Sequence, residues 1–188
     1  METEADYLEP PLRKLPVDLE TLAEFATEGE DYLDDSYARV GYFDTHTGAV
    51  HIVYRQALSC IEDELDPDEL DEWGQADLQI AGEILSDRDG RYEAIDRWHS
   101  SEEFRLMEQF AEETTDPRAR AALLSALSGR KPFRRFKEAV CDWPGLRDTW
   151  FLFRDHARRQ RARRWLQQLE IDAEDASQRK LDPLPERW

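Results

Sequence analysis

A chain of 188 residues, 40% hydrophobic and 36% charged, has the size of one domain and enough apolar material to build a core. Its 11% aromatic content excludes a disordered chain, and no apolar run nears the roughly 18 residues needed to span a membrane. The formal net charge of −18 is unevenly spread: residues 1–116 hold 33 Asp and Glu against 8 Lys and Arg, whereas residues 117–188 hold 10 against 17. A basic part following an acidic one either folds back onto it or faces a separate anionic partner.

The first residues, Met1 to Asp6, are acidic and lack the basic and apolar regions of a secretory signal, so the cytoplasm is the expected compartment. Cys60 and Cys141 form no CxxC pair and are expected to be reduced thiols in a domain large enough to need no disulfide.

Pro10, Pro11 and Pro16 mark residues 1–16 as an irregular lead-in to a single domain over 17–171. Val17, Leu19, Leu22, Phe25 and Ala26 have helical spacing, with Asp18 placed to cap and Gly29 to stop. An acidic loop over 28–36 follows. Residues 39–44 and 49–54 are rich in aromatic and β-branched side chains and flank Thr45-His46-Thr47-Gly48, which predicts a β-hairpin. Residues 62–74 are strongly acidic and read as a solvated loop or short helix; a helix over 76–85 and a short strand over 92–95 come next. That strand can join the hairpin in a small antiparallel sheet.

From Ser100 the pattern is helical. Ser100 or Ser101 is placed to cap a helix whose apolar face is Phe104, Met107 and Phe110, with Glu102 and Glu103 in the first turn. Asp116-Pro117 opens a second helix, with Pro at its first position and Gly129 as its stop. Residues 132–142 and 145–169 form a third and a long fourth. Residues 172–188, with Pro183 and Pro185, read as an extended tail. The fold class is therefore α+β, a small antiparallel sheet with a mainly helical C-terminal half.

The densest chemical signal lies at the second junction. Arg130, Lys131, Arg134, Arg135 and Lys137 place five cations within eight residues, while Phe133, Phe136, Val140 and Trp143 share one helical face. Guanidinium forks beside the free amides of a helix N-terminus suit an anion or a phosphate. No named phosphate loop is matched. On the fourth helix Leu146, Trp150, Phe153 and Ala157 make a core stripe, and Arg154, Arg158 and Arg161, with Arg159, Arg163 and Arg164 beside them, make a basic one. The helix dipole accounts for one or two such cations near a C-terminus, not a row. Arg158, Arg161 and Arg164 are expected on an outer face, open to RNA, DNA or an acidic protein.

The order of motifs resembles that of the bacterial UPF0158 family. The matching pieces are Phe43 to Gly48, Met107 to Phe110, Leu124 to Arg130, Phe133 to Lys137, and Trp150 to Arg154 with Trp165-Leu166, together spanning about 39–171. The resemblance implies a bacterial cytoplasmic protein and a shared fold, and carries no activity with it.

Other sites are weaker. His46, His51, His99 and His156 are scattered without the close spacing of a zinc site. The acids of 62–72 lack the glycine and ligand spacing of an EF-hand. Ser128 has no GxSxG elbow. No metal or cofactor is expected. The reading is a non-catalytic binding or regulatory protein that uses Arg130, Arg134, Arg135, Lys137, Arg154, Arg158, Arg161 and Arg164 to contact a polyanion or an acidic protein. Two alternatives stand beside it. One is an enzyme on a phosphorylated substrate, clamped by Arg130, Arg134 and Arg135. The other is a self-neutralised module whose basic face pairs with the acidic half of its own chain or of a second subunit in a homo-oligomer.

Overall fold

The computed structural model describes residues 12–27 and 38–188. The acidic stretch 28–36, the stop at Gly29 and the first eleven residues of the lead-in lie outside these. The first described element is strand β1 (Arg13–Val17), and it pairs in parallel with β5 (Ile171–Asp175) in the register Arg13 to Ile171. Residues 12–16 and 172–175, read from their prolines and polarity as lead-in and tail, are thus largely a two-stranded ladder. Pro16 was the misleading signal: proline is excluded from central strands but tolerated on an edge, where no ladder bond is asked of its nitrogen. Leu15, Val17, Ile171 and Ala173 alternate inward, which is the period a half-buried strand requires.

Helix α1 (Leu19–Thr27) begins one residue after Asp18, whose carboxylate accepts from the amides of Glu20 and Thr21, both at 3.1 Å. The cap fell where the sequence placed it, and Val17 belongs to the strand before it. Strands β2 (Arg39–Asp44) and β3 (Val50–Tyr54) form the expected hairpin, and β4 (Tyr92–Ala94) adds to the free edge of β2, giving the antiparallel order β3-β2-β4. Gly41 has no Cβ where one would strike the Phe25 ring, so α1 lies directly on this sheet. Gly48 turns the hairpin at φ 81°, a left-handed conformation that costs glycine nothing.

The hairpin turn is organised by Asp44. Its carboxylate accepts from the His46 amide at 2.8 Å and from the Arg91 guanidinium at 2.7 Å, tying the turn to the segment leading into β4. Burial pushes this carboxyl up, but Arg91, the Thr47 hydroxyl and the turn amides outweigh it and hold it well below the usual carboxylate range. A depressed folded value stabilises the fold fully above the unfolded value of 3.8 and loses that contribution as pH falls through the folded one. Between those limits this one group contributes a slope of about 1.4 kcal/mol per pH unit. Urea denaturation from about pH 7 down to about pH 2.5 is expected to show that slope in the wild type and its loss in Asp44→Asn. Parallel acid limbs in the two proteins would refute the assignment.

Helices α2 (Arg55–Glu62) and α3 (Glu72–Leu85), joined through an exposed 3₁₀ turn (Pro67–Glu69), pack on β3 around Val53, Ala57, Leu58, Ala81 and Ile84. The α3 helix starts four residues before the expected 76, because the Asp71 carboxylate caps the amides of Trp73 and Gly74. Helices α4 (Ser100–Glu113), α5 (Pro117–Leu127), α6 (Pro132–Cys141) and α7 (Leu146–Gln168) complete the chain. Neither serine caps α4. His99 occupies that position without a side-chain bond, and the Ser101 hydroxyl turns to His99 Nδ1 instead.

Two cores share α7. Its C-terminal part, through Ala162 and Leu166, closes over α1 and the parallel strands. Its N-terminal part, through Leu146, Trp150 and Phe153, joins Phe110 of α4, Leu123 of α5 and Phe136 of α6. The final residue, Trp188, stacks on Phe110 with ring centroids 5.4 Å apart, and its indole N–H donates to the Phe110 carbonyl at 3.2 Å. The C-terminal segment therefore closes the helical core. Among the described residues, no helix is long and apolar enough to cross a membrane.

Candidate anion-binding surface

Helix α5 opens on Asp116, whose carboxylate accepts from the amides of Arg118 and Ala119 at 2.7 and 3.1 Å, and closes at Ser128. The chain then reverses through Gly129, Arg130 and Lys131 into Pro132. Lys131 sits in the left-handed region at φ 56°, ψ 55°, a conformation that costs a non-glycine residue about 1 kcal/mol. Backbone strain is thus stored in the middle of the cation cluster. Gly129 lies beneath the Arg135 guanidinium, where a side chain would collide with it.

The apolar face of α6 sets the direction of its charges. Phe136 and Val140 are buried, and Phe133 meets Phe104 edge-on at 6.2 Å. With that face inward, Arg130, Lys131, Arg134, Arg135 and Lys137 are all exposed. Arg134 donates to Glu138, one turn on, at 2.8 Å, a solvent-screened contact with both side chains well exposed. The other four have no carboxylate within salt-bridge distance among the described residues. No side chain caps the N-terminus of α6, which leaves the amides of Phe133 and Arg134 without a capping side chain.

The arginines of α7 are placed differently. Arg158 grips both carboxylate oxygens of Glu103 at 2.9 Å, with each side chain 17% exposed. Arg161 pairs with Glu102 and lies over the Trp98 ring at 4.4 Å. Arg159, only 7% exposed, reaches Glu20 and Asp175 at 3.1 Å each and donates to the Arg179 carbonyl. Arg163 contacts Asp175 at 3.8 Å, and Arg154 pairs with Asp155, which is also held by Arg179. These pairs tie α7 to α1, α4 and β5. Asp175 stays ionised: burial raises its carboxyl, but Ser177 and Arg159 outweigh that and lower it.

Arg158 and Arg161 therefore do not lie on the outer face expected for them. Helix α7 is flanked by α1, α4, α6 and β5, which leaves only Arg147, Asp148, Gln160, Arg164, Gln167 and Gln168 exposed. Of the α7 arginines, Arg147 and Arg164 are exposed; Arg147 lies over the Phe151 ring at 5.3 Å, and Arg164 has no acid partner among the described residues. The structure thus separates the eight site residues read from the sequence. It places Arg130, Arg134, Arg135 and Lys137 together at the exposed α5–α6 corner, engages the half-buried Arg154, Arg158 and Arg161 in ion pairs, and leaves Arg164 apart from both groups. Among the described residues, no group of three or more His, Cys, Asp or Glu side chains is placed to hold a metal ion.

The model of the Uncharacterised protein family (UPF0158) matches residues 61–186, two thirds of the sequence. The chain belongs to the UPF0158 family. The UPF0158 match leaves the β2–β3 hairpin outside and runs from α2 through the α5–α6 corner and α7 into the C-terminal segment. The UPF0158 protein PA5073 of Pseudomonas aeruginosa is 29% identical over 162 residues, covering 85% of this chain and 87% of that protein. No solved structure matches.

Proposed function

We propose that this UPF0158 chain is a binding protein whose contact surface is the α5–α6 corner, and that the corner takes a polyanion, with single-stranded RNA as the ligand to test. One observation carries the reading. Several α7 arginines are already neutralised by acids of α1, α4 and β5, whereas at the corner five exposed cations have one carboxylate, Glu138, among them. The net charge of −18 does not decide the matter at that corner, because charges more than about 8 Å away are largely screened at physiological salt. Uncapped amides at the start of α6 add donors that suit phosphate oxygens. The phosphate-clamp enzyme reading has less support: Arg130, Arg134 and Arg135 are exposed and line neither of the two large cavities beside α4.

The test is the salt dependence of binding. If Arg130, Lys131, Arg135 and Lys137 each neutralise one phosphate, log affinity for a labelled oligouridylate falls against log salt with a slope of about −3. Affinity then drops about fifty-fold between roughly 50 and 200 mM salt. The combined variant Arg130→Ala, Arg135→Ala, Lys137→Ala is expected to cut the slope to about −0.7 while keeping the wild-type melting temperature, since all three side chains are exposed. Absence of salt-sensitive binding in the wild type removes the proposal. An unchanged slope in the variant moves the site elsewhere.

A further inference from the structure

Two cavities of about 620 and 550 Å³ lie side by side between α4 and α7, and both are lined by Trp98, Glu102, Arg105, Arg161 and Arg164. They form one cleft, each half within the size range of small-molecule sites. The cleft exists because α4 and α7 meet through long paired side chains, Arg158 with Glu103 and Arg161 with Glu102, which hold the two backbones apart. Its occupant is constrained by charge and by ring chemistry.

The central acids are already neutralised, since Glu102 and Glu103 are the two just paired. Two cations are not: Arg105 on α4 and Arg164 on α7 are exposed, line both halves of the cleft, and have no carboxylate partner among the described residues. Asp96 lines one end and Glu113 the other, the latter held by Gln109 at 2.8 Å, so the uncompensated positive charge falls at the middle. Arg97 contributes little there, being committed to the Phe25 carbonyl and ring. Three indoles complete the lining, and one of them, Trp188, is stacked on Phe110. Trp98 is backed by the Arg161 guanidinium at 4.4 Å, and Trp165 is backed edge-on by Phe43 at 5.8 Å. Both are half-buried and braced, as a stacking platform needs to be.

From this we infer that the α4–α7 cleft binds a nucleoside phosphate, with its base against an indole and its phosphate between Arg105 and Arg164. A flat heterocycle carrying an anion answers both features at once, whereas an apolar ligand would leave the guanidiniums unused and inorganic phosphate would leave the indoles unused. The site is separate from the α5–α6 corner and does not depend on the polyanion reading.

Tryptophan fluorescence reads the site directly. Titration with AMP is expected to quench emission saturably, with adenosine and inorganic phosphate each at least tenfold weaker. Arg105→Gln with Arg164→Gln, both at exposed positions, is expected to weaken AMP at least tenfold at an unchanged melting temperature. Trp98→Leu is expected to remove most of the quenching and to weaken AMP in calorimetry. The α6 variant Arg130→Ala, Arg135→Ala, Lys137→Ala is expected to leave AMP binding intact, which separates this site from the corner. No saturable AMP binding at millimolar concentration would overturn the proposal, as would equal affinity in wild type and the double Gln variant. A uridylate tetramer that is sensitive to the double Gln variant where AMP is not would also overturn it, because the cleft would then be part of a strand-binding track.

Discussion

Replacing Phe136 with alanine is expected to remove about 4 kcal/mol of folding free energy, the largest single effect available at the candidate surface. The ring is fully buried beneath the cations of α6, 4.9 Å from Trp150 and 6.3 Å from Phe110, each contact edge-on. Deleting it loses the transfer free energy of the aromatic group and leaves a cavity that three helices cannot easily fill, since α4, α6 and α7 are held by separate loops and ion pairs. Edge-on aromatic pairs add about 0.5–1.5 kcal/mol beyond buried area, so part of the loss is specific to ring geometry. Phe136→Leu, which keeps most of the volume, is expected to cost less than half as much. Urea denaturation measures both, and a shift in midpoint at constant slope identifies a stability change rather than a change of state. An unchanged midpoint for Phe136→Ala would mean that the ring faces solvent and that the α6 cations point elsewhere.

The second large effect is expected at Arg159. Arg159→Met is predicted to lower stability by about 3 kcal/mol, because breaking a buried ion pair leaves its acids without compensation. Glu20 and Asp175 both lose a guanidinium at 3.1 Å, although Arg179 on the first and Arg163 on the second retain part of the pairing. Arg159→Lys is not expected to rescue, since one ammonium cannot span a carboxylate on α1, another on β5 and the Arg179 carbonyl together. Lys14 provides the contrast. It faces Glu174 at 3.9 Å with both side chains well exposed, and Lys14→Met is expected to leave the midpoint unchanged within error. Equal midpoints for Arg159→Met and wild type would show that the network stores no stability. Without Arg159 the Asp175 carboxyl also loses one of the partners that lower it, so that group contributes less to the acid limb than in the wild type.

Much of the fold was legible in local pattern. The hairpin followed from β-branched and aromatic runs around Gly48, α5 from Asp116-Pro117, and the inward faces of α6 and α7 from Phe136, Val140, Trp150 and Phe153. Each of those signals acts within a few residues: a cap reaches two or three amides, and an apolar stripe repeats every turn. The β1–β5 ladder was not legible in the same way. Its two strands are separated by more than 150 residues, one contains Pro16, and neither carries a turn that would announce a neighbour. The docking of Trp188 on Phe110 escaped for the same reason, since a lone indole after two prolines has no period.

The cations show the division most clearly. That residues 117–188 are basic, that arginine recurs along one long helix, and that five cations crowd a helix junction above an aromatic face is legible residue by residue. Which of them meet acids follows from how the helices and strands pack. Arg158 and Arg164 are alike in type and share a helix, yet one is locked to Glu103 and the other is exposed at the cleft, because α4 packs beside α7 at one turn and stands away at the other. Arg105, unremarkable in its own helix, gains its place opposite Arg164 from that same gap. Helical period states which way a side chain points; what it meets there depends on which elements the fold brings beside it, and for a charged group that partner determines whether the charge is spent inside the fold or free for a ligand.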